Sequence, residues 1–364
     1  MDILDKYRSK DLVLNISEKA NKILSRSSGK ISLMEVCGTH TVEIFRFGLR
    51  NLFHSNLNLI SGPGCPVCVT GLHFLDKAIS LSRRDNITIT TFGDMMRVPV
   101  SRTSLSRERS AGRDIRVVYS CLDSLEIASL NPNRDIVFLG VGFETTVPTV
   151  ASTILTAKER GLKNFFVLSA HKTMPTALEA ILNSDSVNIN GLICPGHVSA
   201  ITGIHIYDFI PERYNISCAV SGFEPLDIVS SIYQLCESLE SHEFRVINNY
   251  SRVVTEFGNS KAQSVINEVF EESDEEWRGI GLIPRSGLKI KPEYSAFDAD
   301  LNFPVEVEDT RGPSGCRCGE ILRGTILPPA CPLFRKTCTP ENPIGACMVS
   351  SEGTCAAFYK YYVD

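Results

Sequence analysis

Residues 135–161 read DIVFLGVGFETTVPTVASTILTAKERG. The opening DIVFLG is too densely apolar for a strand with one wet face and suits a strand buried on both sides. From Val147 the apolar residues fall at Val150, Ala151 and Ile154, the spacing of an amphipathic helix, and Gly161 marks its end. Strand, turn and helix in that order make half of a βαβ unit. The same unit recurs along the chain. Apolar runs stand at ISLMEV (31–36), LNLIS (57–61), ITITTF (87–92), IRVVYS (115–120), FFVLSA (165–170), GLICP (191–195) and ISCAVS (216–221). Eight buried strands alternating with helices predict an α/β fold with parallel sheets.

The runs also resemble two sets of four, which predicts two Rossmann-like parallel-sheet halves and a C-terminal helical and irregular domain. The expected boundaries are a helical segment over 1–30, a first α/β domain over 31–133, a second over 134–235, and a C-terminal domain over 236–364. Beyond Gly222, EPLDIVSSIYQLCESLES and NSKAQSVINEVFEESDEEW read as helices. The acidic EESDEE is expected to be a solvated helix end. Residues 280–330 show little regular pattern.

Bulk composition narrows the function classes. With 43% hydrophobic and 22% charged residues, the 364-residue chain has the make-up of a folded protein. A net charge of −5 offers no general attraction to nucleic acid or to an anionic membrane. The start, MDILDKYRSK, lacks the apolar core of a secretory signal, and no run approaches the roughly 18 apolar residues of a membrane span. The expectation is a soluble cytoplasmic protein. In that reducing setting thirteen cysteines are anomalous, and they point to metal or redox chemistry more than to a disulfide framework.

The chemistry-bearing motifs all follow predicted strands, where open parallel sheets bind ligands. GPGCPVC holds Cys65 and Cys68 two residues apart, a spacing open to a redox pair, half of a metal site, or two packed thiols. CGTHT carries Cys37 and His40, and a helix starting beside Cys37 is expected to lower its pKa through the helix dipole. GFETT brings Glu144, with hydroxyls that could simply cap a helix. Asp94 and Arg97 lie in TFGDMMRVP, His171 and Lys172 in SAHKT, and His197 in PGHVS. A single cleft shared by two halves would collect them. No phosphate-binding loop, dinucleotide fingerprint or serine nucleophile elbow occurs.

Six cysteines crowd the last fifty residues: Cys316, Cys318, Cys331, Cys338, Cys347 and Cys355. Cys316, Cys331, Cys338 and Cys355 are separated by 14, 6 and 16 residues. The tail lacks the tight C-x2–4-C knuckles of structural zinc and favours an iron–sulfur cluster. Such a cluster beside a cysteine pair raises the possibility of cluster-driven disulfide reduction.

Together CGTHT, GPGCPVC, TFGDMMRVP, GFETT, PGHVS and the tail CPLFRKTCTPENPIGACMVSSEGTCAA resemble the hydrogenase formation protein HypD family over nearly the whole chain. The resemblance implies assembly of the Fe(CN)2CO unit of [NiFe] hydrogenases. It implies a complex with HypC, a shared iron that receives cyanide and carbon monoxide, cyanide supplied by HypE with HypF upstream, and delivery to the hydrogenase large subunit. It also implies that Cys37 contacts the iron with His40 nearby and that Cys65 and Cys68 form the redox pair. By the same resemblance Cys316, Cys331, Cys338 and Cys355 hold a [4Fe–4S] cluster, with Cys318 and Cys347 as close alternatives. Asp94, Glu144 and His197 complete the expected site. The competing readings are an iron–sulfur-dependent protein disulfide reductase and a structural metalloprotein.

Overall fold

The computed structural model describes residues 3–101, 103–184, 188–307 and 312–362. Every one of the eight apolar runs is a strand: β1 (Ile31–Glu35), β2 (Leu57–Ser61), β3 (Ile87–Thr91), β4 (Ile115–Val117), β5 (Asp135–Gly142), β6 (Phe165–Lys172), β7 (Gly191–Pro195) and β8 (Ser217–Ser221). Three more follow, β9 (Val246–Asn248), β10 (Phe270–Trp277) and β11 (Gly281–Ile290). The strands form two sheets, as the α/β reading requires.

The first sheet is wholly parallel with order β2-β1-β7-β8-β9. The second has order β10-β11-β6-β5-β3-β4, with β6, β5, β3 and β4 parallel and the β10–β11 hairpin antiparallel at one edge. The inner strands β3, β7 and β8 are buried throughout, and β1, β5 and β6 are buried at all but one position each. Phe138 and Phe165, both fully inaccessible, each contribute on the order of 2–3 kcal/mol through removal of apolar area from water.

Sheet membership does not follow the expected division at 133/134. The chain lays down β1 and β2, crosses to the other sheet for β3 to β6, and returns for β7 to β9. Strand β1 pairs with β7, Leu33 opposite Gly191, across about 160 residues of sequence. A boundary at residue 236 likewise cuts the helix Pro225–Ser241, and β9 to β11 beyond it belong to the two sheets. Both sheets therefore have a topological switch point, between β1 and β7 in the first and between β3 and β5 in the second. Crevices at the carboxyl ends of strands open at such points.

The C-terminal stretch holds two further differences. The segment EESDEE is not a helix end. The helix stops at Val269, and Phe270–Trp277 continues as β10, anchored by the buried Phe270 and Trp277. Its carboxylates have partners across the sheet: Glu271 meets Lys289 at 3.1 Å and Glu275 meets Lys172 at 3.1 Å. Those cross-strand partners outweigh the helical preference of glutamate. Residues 281–290, expected to be irregular, form the ten-residue β11. The N-terminal segment is two helices, Ile3–Tyr7 and Lys10–Arg26. Among the described residues, no helix is long and apolar enough to cross a membrane.

Lys172 ties the hairpin to the parallel strands. It is 1% exposed, its ammonium 2.6 Å from the Glu276 carbonyl oxygen and 5.4 Å from the centre of the Trp277 ring. Lys172→Ala leaves Glu275 without its counter-charge. It is expected to cost about 2–4 kcal/mol, read as a lowered thermal midpoint.

Candidate functional site

The first switch point lies between the ends of β1 and β7, and both ends carry chemistry. Cys37 follows β1 and caps the helix Gly38–Arg46. His197 follows β7 in the short helix Gly196–Thr202. Phe223, just past β8, lies between the two histidines, stacked on His40 at 4.7 Å and on His197 at 4.0 Å. His40 is fully buried with Nε2 2.9 Å from the Gly222 carbonyl oxygen. A carbonyl only accepts, so Nε2 carries the hydrogen and Nδ1 keeps a lone pair. That Nδ1 has no partner. Burial pulls the His40 pKa down to about 4, so the ring is neutral at physiological pH. The His197 pKa is also lowered by partial burial, against the opposing charge of Glu352.

Cys37 differs from expectation in its acidity. The Thr39 and His40 backbone N–H groups at the helix start do favour its thiolate. Burial outweighs them, and the nearby Glu352 charge acts with burial, so the thiol is pushed up to about 11.

Cys65 and Cys68 form a disulfide with a Cα–Cα separation of 5.2 Å, at the start of the helix Pro66–Val69. Two glycines bring this turn against Cys37. The Gly38 N–H donates to the Gly64 carbonyl at 3.1 Å. A Cβ on Gly64 would lie 2.6 Å from the Val36 carbonyl carbon and closer still to the Cys37 backbone. A third segment joins them from the tail. Thr39 Oγ1 donates to Glu352 Oε1 at 2.8 Å, and the Glu352 N–H donates to Ser350 Oγ at 3.3 Å. Ser350 Oγ donates in turn to Asp94 Oδ2 at 3.2 Å. Asp94, exposed after β3 of the second sheet, is thereby connected to the Cys37 turn.

On its far side the disulfide adjoins the cysteine-rich tail. Cys68 Sγ lies 3.9 Å from the Ala346 carbonyl oxygen. One residue earlier, a Cβ on Gly345 would meet Cys316 Sγ at 2.8 Å and Cys318 Sγ at 3.1 Å. An apolar cavity there is lined by Cys316, Cys318, Cys331, Cys338, Cys355 and Met348. Cys347 is fully buried and is not part of this lining. The Cys316 thiol is drawn down to about 6 by its hydrogen bond with Cys318 and, to a lesser degree, by the Arg278 charge. Among the described residues, no three Cys, His, Asp or Glu side chains converge as a single-ion site would require. Five thiols line this small apolar hollow.

Glu144 lies apart from these residues. Its Oε1 accepts from the Met174 N–H at 2.8 Å at the start of the helix Met174–Leu182, and its buried Oε2 has no partner. It lines a different cavity, of about 330 Å3, with Thr173, Ile206 and Phe270. Burial raises its pKa to about 7. His171 is fully buried within β6, its Nδ1 3.0 Å from Ser169 Oγ. Arg97 reaches the tail, donating to the Pro340 carbonyl at 3.1 Å. Sequence reasoning missed Phe223, Glu352 and Arg278. The acid directly before the final Gly-Thr-Cys was the available sign for Glu352, whereas Phe223 and Arg278 stand in unremarkable local sequence.

Two parallel-dominated sheets, the first with a thiol, a disulfide and a neutral histidine at its strand ends beside a cysteine-lined cavity, define a thiol-rich α/β protein. Comparison with known proteins gives the family. The family model HypD, described as "Hydrogenase formation hypA family", matches residues 9–362. The hydrogenase maturation factor HypD of Rhodobacter capsulatus is 44% identical over 362 residues, 98% of this chain and 96% of that protein. That of Escherichia coli is 40% identical over 366 residues, 99% of this chain and 98% of that protein. A putative hydrogenase expression/formation protein of Methanocaldococcus jannaschii is 41% identical over 350 residues, 96% and 97% of the two chains. The chain belongs to the HypD family and is a hydrogenase maturation factor.

Two outcomes follow from the geometry. Gly64→Ala drives a methyl group into the Val36–Cys37 backbone and is expected to cost about 1–3 kcal/mol in thermal unfolding. The Glu144 carboxyl binds its proton more tightly folded, at about 7, than unfolded, at 4.5, so its contribution to stability falls as pH rises through that window. Glu144→Gln keeps the acceptor for Met174 and has no such proton. Relative to the parent it should gain on the order of 3 kcal/mol between about pH 4.5 and 7, measured as the difference in denaturation midpoints.

Proposed function

We propose that this chain is the scaffold that holds iron while cyanide and carbon monoxide are attached, in complex with HypC, before the Fe(CN)2CO unit passes to the large subunit of a [NiFe] hydrogenase. Cyanide reaches it from HypE, which HypF supplies. The observation that carries the reading is the juxtaposition at one switch point of Cys37, the Cys65–Cys68 disulfide and a cavity walled by five cysteines.

Iron is the cargo here, and Cys37 supplies a soft thiolate suited to a low-spin ferrous ion with strong-field ligands. In the free chain burial keeps Cys37 protonated, so thiolate forms as iron displaces the proton. Neutral His40 retains its Nδ1 lone pair beside that event. Buried apolar surroundings and Phe223 restrict competing water.

Cyanide release from a thiocyanate carrier, R–S–CN, consumes two electrons and yields a thiolate and cyanide. Closure of the Cys65–Cys68 dithiol to the disulfide delivers two electrons and two protons, which balances that step. The donor set fits a [4Fe–4S] cluster on Cys316, Cys331, Cys338 and Cys355, which would supply one-electron chemistry next to the disulfide.

The test is anaerobic co-purification with HypC, with infrared spectra in the cyanide and carbonyl stretching region. Cys37→Ala is expected to lose iron and every band. Cys65→Ala and Cys68→Ala are expected to lose the cyanide bands while keeping the visible absorbance of the cluster. Full cyanide loading in both of the latter variants would remove the redox role.

A further inference from the structure

The turn joining β10 to β11 is wedged between the disulfide helix and the cysteine cavity. The Arg278 N–H donates to the carbonyl of Val69, next to Cys68, at 2.8 Å, and Trp277 is bridged to Thr70. On the other side the turn meets the helix Cys318–Leu322 at a pair of glycines, where a Cβ on Gly319 would lie 2.8 Å from Gly279 Cα. Side chains longer than glycine at either position would hold the two elements apart.

Arg278 itself is the unusual group. It is 9% exposed, and both Nε and Nη2 are buried without a hydrogen-bond acceptor. The turn that carries it packs on the helix that begins at Cys318, a residue of the cysteine cavity wall. Buried guanidinium groups are ordinarily matched by a carboxylate in a two-pronged hydrogen bond. None forms an ion pair with Arg278 among the described residues, and an unmatched buried cation is strongly unfavourable. The chemistry that resolves this is an anion brought in from outside the chain, and the neighbouring thiols are the groups that would hold one.

We propose that Arg278 is the fixed counter-ion of the iron–sulfur group at the cysteine cavity, a positioning residue that sets how readily that group accepts an electron. The inference rests on the cluster reading above. Thiolate-ligated iron–sulfur groups are anionic, and reduction adds one more negative charge. A fixed positive charge in a dry setting stabilises the reduced form more than the oxidised form, so Arg278 raises the reduction potential. Its backbone hydrogen bond to Val69 puts this control beside the disulfide that the electrons serve.

The test uses the full chain, wild type and the variants R278K and R278Q, reconstituted anaerobically with iron and sulfide. Midpoints are measured by potentiometric titration with dithionite, followed by electron paramagnetic resonance. Each titration step adds one electron from dithionite and breaks no bond in the protein. R278Q is expected to shift the reduction equilibrium at least tenfold towards the oxidised form, which for one electron is 59 mV per tenfold. R278K, which keeps the charge, should shift it much less. An R278Q midpoint within twofold of wild type, at equal iron and sulfide content, overturns the proposal. A wild type that takes up no iron and sulfide removes the cluster reading itself, a failure distinguishable from the first. If R278Q alone takes up no cluster, the melting temperatures of the cluster-free proteins decide. An unmatched cation predicts that cluster-free R278Q melts as high as wild type or higher, and a lower melting temperature marks Arg278 as a packing residue and overturns the proposal.

Discussion

The site depends on backbone meeting backbone at the ends of β1 and β2. Gly64 rests on the Val36–Cys37 peptide, and Gly38 packs against Glu352, where a Cβ would come within 2.7 Å of the Glu352 Cβ. Three segments distant in sequence are therefore held closer than side chains would allow. One carries the lone thiol, one the disulfide, and the third is the tail that also walls the cysteine cavity. The hydrogen bonds from Gly38 to Gly64 and from Thr39 to Glu352 fix their register. Glycine at these positions is a steric requirement of the arrangement.

Burial governs the electrostatics of the molecule. It keeps Cys37 protonated and His40 neutral, and it holds the Glu144 carboxyl near neutrality in its acidity. Glu35 follows the same rule, raised to about 6 by burial even though Arg50 opposes the shift and Ser61 donates to it at 2.7 Å. Several of these groups have an unsatisfied atom, among them Glu35 Oε2, His40 Nδ1 and Arg278 Nε. Unmet polar groups inside a protein are costly, and Glu35, His40 and Glu144 among them stand at or just past the ends of strands.

The parallel strands were legible because strands buried on both faces are written as continuous apolar runs, and all eight runs became strands. The hairpin was not. FEESDEEW has an acidic interior typical of a solvated helix, and its pairing with β11, the buried Phe270 and Trp277, and the partners Lys172 and Lys289 supplied by the folded sheet make it a strand. The division into successive halves also failed, because nothing local to LNLIS or GLICP states which strand each will pair with. Cys37, His40, Cys65, Cys68 and His197 were legible as a group through their common position after strands. Glu144 shared that position yet faces another cavity, because the second sheet has its own switch point.

By itself the sequence determined eight of the eleven strands, the class of fold and the motifs that sit at strand ends. Those are properties of local pattern, composition and residue spacing. Tertiary structure alone decided that β1 lies beside β7, that the tail returns to the Cys37 turn, that Cys37 is a neutral thiol, and that Arg278 is buried with its Nε and Nη2 unmatched. Each of these depends on which surfaces exclude water from one another, and that is settled only when segments far apart in the chain are packed together.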